Sequence, residues 1–331
     1  MDYKEVQWKY YKNRYKLRDY YLNRIINRHI SMPLMGKELH PYFYGGKVLH
    51  SSDWANKKIS ELIYSDKPFM VSRFGNTELF NLNCFLEKQL LGKSPENDEL
   101  TSEWWENLYT LSGFFPKDDI YQERFAKTIL ESARCTDILG VWNRPMEDYH
   151  LKTSMKKTSI TALRWLEPWY SDTPWTHALE GKKVLVIHPF EESIRKQFAN
   201  RERIFPNGLL PDFELDVLKA VQTLGDNNDY GFATWFEALD YMYKEAIQRD
   251  FEVAIIGCGA YGMPLAAMLK NSGKKAIHLG GVTQCLFGIK GSRWVNSPID
   301  KKIPMNEYWV YPDDCETPKG SANVEGGCYW K

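Results

Sequence analysis

The chain has 331 residues with 43 basic and 43 acidic side chains, so no global field recruits nucleic acid or another polyanion. That length supports one large α/β domain or two smaller ones, with ample material for a buried core. Its 12 Trp, 20 Tyr and 16 Phe fit either a binding surface for flat sugars and bases or an aromatic core and interface.

The opening "MDYKEVQWKYYKNRYK" is charged from its second residue and lacks the apolar stretch of a secretory signal. No apolar run approaches the roughly 18 residues that a membrane span needs. Cys84, Cys135, Cys258, Cys285, Cys315 and Cys328 form no C-x-x-C pair. Reduced thiols in a cytoplasmic protein without structural zinc are the expectation.

Residues 1 to about 32 are basic and aromatic, with Tyr, Trp, Leu and Ile at three- and four-residue spacing, which predicts a helix. Two roles are open to it: lying on an anionic membrane surface, or docking on its own body or a second subunit. The first strand of the body is read at "PFMVSRF" (68–74), followed by a helix from near Asn76. Helical periodicity continues to about 135, broken at "GKSPEND" and "SGFFPKDD". A strand is read at "TDILGVW" (136–142), and helical patterning at "TSITALRWLEPWY".

The second half alternates more regularly. "KKVLVIHPF" (182–190) reads as a strand, "EESIRKQFANRERIF" as a helix, and "PDFELDVLKAVQTLG" holds a short strand. "TWFEALDYMYKEAIQRD" is an amphipathic helix. "FEVAIIGCGAYG" is strand and turn, "MPLAAMLKNSG" a helix, and "KKAIHLGG" a strand. Strands alternating with helices predict an α/β fold with a doubly wound, mostly parallel sheet and a helical N-terminal extension. No internal repeat or low-complexity linker interrupts it. The expected division is an extension at 1–55, a body at 56–300 and a docking tail at 301–331, the last because it ends in Cys-Tyr-Trp.

Gly257, Gly259 and Gly262 have the G-x-G-x-x-G spacing of a dinucleotide turn. Such a site also wants an acidic residue about 20 positions on. Here that region reads "KKAIHLGGVTQ", with His278 and glycines in place of Asp or Glu. Too little chain follows for a nicotinamide domain, so an NAD-dependent oxidoreductase is the weakest reading.

"VSRFGNTELF" (71–80) is a second place for chemistry. Asn76 and Glu78 read either as a helix cap or as oxygen ligands for Mn²⁺ or Mg²⁺, with Gly75 relaxing the turn and Arg73 near phosphate. His188 and Glu191, beyond the strand "KKVLVIHPF", are candidate bases. Lys290 and Arg293, in "FGIKGSRW", are spaced so that both can meet phosphate.

Together "SRFGNTE", "KKVLVIHPFEESI", "GCGAYGMPLAA", "KKAIHLGG" and "FGIKGSRW" resemble bacterial glycosyltransferases of the GT-D fold type, which serve surface polysaccharide and glycoprotein glycan assembly. The likeness runs from about residue 60 to about 300. It implies a Rossmann-like domain and a nucleotide-sugar donor. It also implies a divalent metal on an Asp-x-Glu motif after an "RFG" strand. Asn76 stands where that family has Asp, which removes a charge from the metal site, and Glu78 matches the Glu. The implied donor-binding residues are Arg73, Gly75, Gly257, Gly259, Tyr261, Gly262, His278, Gly280, Lys290 and Arg293. Glu78, His188 and Glu191 are the candidate catalytic side chains. The implied acceptor is a glycan or a lipid-linked hydroxyl at the inner membrane face, reached through residues 1–32. A non-catalytic binding or scaffold protein of the same fold is the rival reading.

Overall fold

The computed structural model describes residues 3–35, 38–92, 99–223, 231–297 and 302–331. Apart from Gly92, the break read at 92–98 lies outside them, as does the boundary read at 300/301. Nine strands form one sheet: β1 (Phe43–Tyr44), β2 (Lys47–His50), β3 (Phe69–Arg73), β4 (Ile138–Val141), β5 (Ser159–Ala162), β6 (Lys183–His188), β7 (Glu214–Lys219), β8 (Val253–Ile256) and β9 (Lys275–His278). Their order is β1-β2-β5-β4-β3-β9-β8-β6-β7. Only the β1–β2 hairpin is antiparallel; every other pairing is parallel.

The strands are apolar on both sides because helices cover both faces. Met70, Leu185, Ile187, Ala254 and Ile256 point into one core, with helices Asn76–Leu91, Asp119–Arg134, Trp235–Ile247 and Gly262–Asn271. Their neighbours Phe69, Val71, Val184, Val186, Val253 and Ile255 point into the other, with helices Ser52–Tyr64 and Glu191–Phe198. This period-two division produces the three-layer, Rossmann-like doubly wound architecture.

Two sequence expectations are corrected. The first strands of the sheet lie in the segment read as a helical extension, since β2 pairs in parallel with β5. The stretch read as helical at 158–170 begins with β5 and continues as short 3₁₀ turns at Leu163–Leu166 and Pro168–Tyr170. Leu163 and Leu166 carry helix-like spacing, but the parallel pairing Leu139↔Ile160 fixes the preceding residues as strand.

The N-terminal helix Tyr3–Arg18 widens into a π-helical stretch, Asp19–Ser31. It docks on its own body: Trp8 and Tyr11 are buried and pack edge-on against Tyr149. Arg18 reaches Asp148 at 2.7 Å and lies over the Tyr44 ring. Tyr3, Tyr10, Leu17, Tyr20 and Tyr21 remain exposed. No helix of the described residues is long and apolar enough to cross a membrane. At the other end, the Glu316 carboxylate accepts from the Glu192 and Ser193 N–H groups and the Ser193 hydroxyl. It thereby caps helix Glu191–Phe198 and ties down the tail, whose Trp330 is buried.

Candidate functional site

Parallel strands expose their carboxyl ends along one edge, where ligands bind in open α/β sheets. Five adjacent strands, β4, β3, β9, β8 and β6, bring Trp142, Arg73, His278, Gly257 and His188 to that edge. These five residues line one cavity of about 220 Å³, with Asn76, Glu78, Gly259, Tyr261 and Gly280. Two motifs far apart in sequence, after β3 and after β8, thus meet because β9 pairs with both strands, with Val71 and Ile255 each opposite Ile277.

Arg73 is the buried cation of this edge. Its Nε is buried and has no acceptor among the described residues. Burial holds its pKa below the usual guanidinium value, with Arg293 and Arg144 adding repulsion and Glu78 and Tyr329 opposing. Its guanidinium lies 4.8 Å from the Trp142 ring centre. Gly280, at φ +72°, lets the chain pass close by; a Cβ there would stand 3.3 Å from Arg73 Nη1.

The "RFGNTE" turn differs from its sequence reading. Gly75 is the N-cap of helix Asn76–Leu91 and has ordinary extended dihedrals, φ −73° and ψ 151°. Glycine leaves room for the Glu78 carboxyl to fold over it, since a Cβ would lie 1.7 Å from Glu78 Oε2 and push that carboxyl away. Asn76 is the first helical residue and does not cap. The Glu78 carboxyl folds back toward its own backbone N–H and the Ser112 hydroxyl, and burial raises its pKa.

Asn76 and Glu78 therefore offer one amide and one inward-turned carboxyl. Among the described residues no group of three or more His, Cys, Asp or Glu is arranged to hold a metal ion. The buried unpartnered nitrogens lining the same cavity are Arg73 Nε and Trp142 Nε1, which are donors, and His278 Nε2, whose role follows the ring tautomer. This set does not fit a resident cation; donors recognise anions.

The glycine turn serves three purposes. A Cβ on Gly257 would lie 2.6 Å from Thr283 Cβ and 2.7 Å from His188 Cδ2, so this glycine gives the edge its close packing. Gly259 has φ +58° and open space where a Cβ would stand, so it is where a ligand can approach the backbone. Gly262 is outside the cavity lining; a Cβ there would strike His278 Nε2 at 2.3 Å. Tyr261 stacks on Trp235 with ring centres 4.6 Å apart, and its hydroxyl meets Thr223 Oγ1 at 3.0 Å.

His188 Nδ1 accepts the Phe190 N–H at 3.1 Å, which places the proton of the neutral ring on Nε2. Burial pushes its pKa down to about 3, so it stays neutral and serves as a donor. His278 contacts the Ser72 hydroxyl through Nδ1 at 2.9 Å, and burial with Arg73 nearby pushes it down to about 3. Glu191 lies outside the cavity and accepts from Arg195 at 3.0 Å. Lys290 also lies outside, over the Tyr311 ring, whereas Arg293 reaches the site.

Sequence reasoning missed several participants. Arg293 donates to the Tyr329 hydroxyl at 2.7 Å and to Glu325, and both partners belong to the tail. Gly281 makes room for the Tyr329 ring, where a Cβ would be 2.5 Å away. Trp142, Asn143 and Arg144 were also unassigned. A second cavity, of about 540 Å³, lies across Arg73, Trp142, Gly281, Arg293 and Tyr329, which line both spaces. Compared with family models, curated proteins and solved structures, the chain matches none.

Proposed function

We propose that this protein is a glycosyltransferase that moves a sugar from a nucleoside diphosphate donor to an acceptor hydroxyl. The observation that carries the reading is the pair Arg73 and Arg293, set between two cavities at the carboxyl edge of a doubly wound sheet. Arg73 is buried with no carboxylate in salt-bridge contact among the described residues, which is costly unless an anion joins it, whereas Arg293 is partly exposed and already paired with Glu325. A diphosphate is such an anion, and guanidinium forks pair with its oxygens. On this reading the nucleoside occupies the smaller cavity, with Gly259 giving close backbone approach. The His188 Nε2–H donates toward the bound group.

The leaving diphosphate gains negative charge as the glycosidic bond breaks, and Arg73 and Arg293 stabilise it at that moment. The acceptor hydroxyl approaches from the second cavity. The exposed aromatic and basic side of residues 3–21 supports contact with an anionic inner membrane surface carrying the acceptor.

A thermal-shift series with UDP-, GDP- and dTDP-sugars and NADH tests the reading. A ligand at a hundred times its Kd stabilises by about 2.7 kcal/mol. One nucleotide-sugar class should raise the melting temperature in wild type and fail to do so in Arg73→Met. A shift with NADH alone would replace the reading with the oxidoreductase, and no shift at all would favour the scaffold.

A further inference from the structure

The larger cavity has its own recognition chemistry, separate from the glycine turn. Its wall includes the run Trp142-Asn143-Arg144, immediately after β4. Trp142 Nε1, Asn143 Nδ2 and Arg144 Nε are all buried, and none has an acceptor among the described residues. Three consecutive side chains thus hold three unsatisfied donors, where most buried polar groups are satisfied. Arg144 has no carboxylate in salt-bridge contact among the described residues, and its guanidinium sits 3.9 Å from the Trp142 ring centre. Burial holds its pKa below the usual guanidinium value, with Tyr15, Glu147 and Asp19 opposing and Arg293 adding to the shift.

Two of the three acids on the same wall are already engaged, and the third, Glu38, is only half-buried. Asp19 pairs with Arg24 at 2.9 Å, and Glu167 accepts from Trp169 Nε1 at 2.9 Å. The spare hydrogen-bonding capacity around Trp142-Asn143-Arg144 is therefore cationic and donating.

The run is also held in an uncommon shape. Asn143 and Met146 have φ +59° and +62°, the left-handed region that side chains other than glycine rarely adopt. Three outside groups maintain it. Glu147 accepts the backbone N–H of Trp142 at 3.2 Å and of Arg144 at 3.3 Å. Asn83 donates to the Pro145 carbonyl at 2.9 Å. Arg18, from the N-terminal helix, donates to Asn143 Oδ1, which leaves the amide's Nδ2 as the unused group. Backbone held in such a conformation by several partners marks functional positions.

We infer that Trp142, Asn143 and Arg144 form a second anion site, which binds a phosphate-bearing ligand in the larger cavity. Resting on the proposed transfer reaction, that ligand is the acceptor: a hydroxyl compound carrying a phosphate ester. Arg144 supplies charge, Asn143 and Trp142 supply neutral donors, and Arg18 is a positioning residue acting through Asn143.

The test uses the full-length protein and inorganic phosphate as probe, with calorimetric titration in 0.15 M salt, where a Debye length of about 8 Å limits long-range effects. Variants are Arg144→Gln and Asn143→Gly; glycine keeps the left-handed backbone while deleting the amide, so the second variant retains the fold. Phosphate affinity should fall tenfold or more in Arg144→Gln and about threefold in Asn143→Gly. UDP and GDP affinities should change less than threefold in both. Unchanged phosphate affinity would overturn the proposal, as would parallel losses of phosphate and nucleotide, which would mean one site. If no nucleotide binds but phosphate binding still depends on Arg144 and Asn143, the second anion site stands and the transferase reading falls.

Discussion

Replacing Arg73 by Met separates a binding role from a structural one. In the free protein, the guanidinium gains a cation–π contact with Trp142, 4.8 Å from ring centre to Cζ, which contributes about 2 kcal/mol when desolvated. Against this, its buried Nε lacks an acceptor, which costs about 1–3 kcal/mol. Arg293 and Arg144 also repel it. Met fills a similar volume with no charge. The free protein should therefore change by no more than about 1 kcal/mol in either direction, seen as a nearly unchanged melting temperature.

Binding should move the other way. A hydrogen bond to a charged group contributes about 1.5–3 kcal/mol, so losing one to a diphosphate weakens Kd by roughly tenfold to over a hundredfold. Urea unfolding of the free protein and calorimetric titration with the nucleoside diphosphate measure the two effects separately. A free-protein loss of more than about 3 kcal/mol would refute the reasoning, since it would make Arg73 a structural support. Unaltered nucleotide affinity would refute it equally.

Other consequences follow from the same geometry. Because the donor set favours an anion, nucleotide-sugar affinity measured by thermal shift should be the same in EDTA as in Mn²⁺; a requirement for Mn²⁺ that Glu78→Gln abolishes would restore the metal reading. Gly262→Ala should destabilise by about 1–3 kcal/mol by driving a methyl into His278, 2.3 Å away. Gly259→Ala meets no atom and should cost only about 1 kcal/mol of left-handed strain; equal urea midpoints for the two would contradict this division of roles. His188 has a folded-state pKa of about 3, below the usual value for a free imidazole, so the unfolded chain binds its proton first and stability falls as the pH drops below about 6.5. His188→Asn should reduce the slope of unfolding free energy against pH by about 1.4 kcal/mol per unit between pH 4 and 6, and parallel wild-type and variant slopes would show that His188 titrates alike in both states.

Much of the sheet was legible because buried parallel strands read as apolar runs. "FMVSR", "VLVIH" and "VAII" announce themselves, and the helix-bearing segments between them set the parallel topology. Motifs placed directly after those runs had to reach the carboxyl edge, which is why Arg73, His188, Gly257 and His278 converge. The 142–147 turn gave no such signal. Its chemistry depends on left-handed dihedrals and on contacts from Arg18, Asn83 and Glu147, none of which leaves a local pattern. Lys290 and Arg293 looked equivalent by charge and spacing. The short helix Ser292–Val295 carries Arg293, while Lys290 bonds backbone to backbone with Val310, and only the first faces the site.

The balanced total charge and the cationic edge are compatible because the two act over different distances. Exposed charges of opposite sign screen one another within a Debye length, so 43 against 43 leaves little field at a distance. Guanidinium groups withdrawn from water are screened far less, so the repulsion between Arg73 and Arg144 persists until an anion arrives, while Glu325 already offsets Arg293. Arg73, Arg144 and Arg293 come from three segments distant in sequence, yet each bears on the titration of another. On the proposed reading this arrangement orders the reaction. Donor diphosphate and phosphorylated acceptor would each relieve part of the repulsion, so each should bind more tightly when the other is absent than simple addition predicts. On the same proposed reading, the residues common to both cavities, Arg73, Trp142, Gly281, Arg293 and Tyr329, are where a transferred sugar would pass. Substitutions at that wall should therefore lower kcat, with those of Arg73 and Arg293 also raising the donor KM, whereas changes at Gly259 or Arg144 should raise the KM of one substrate alone.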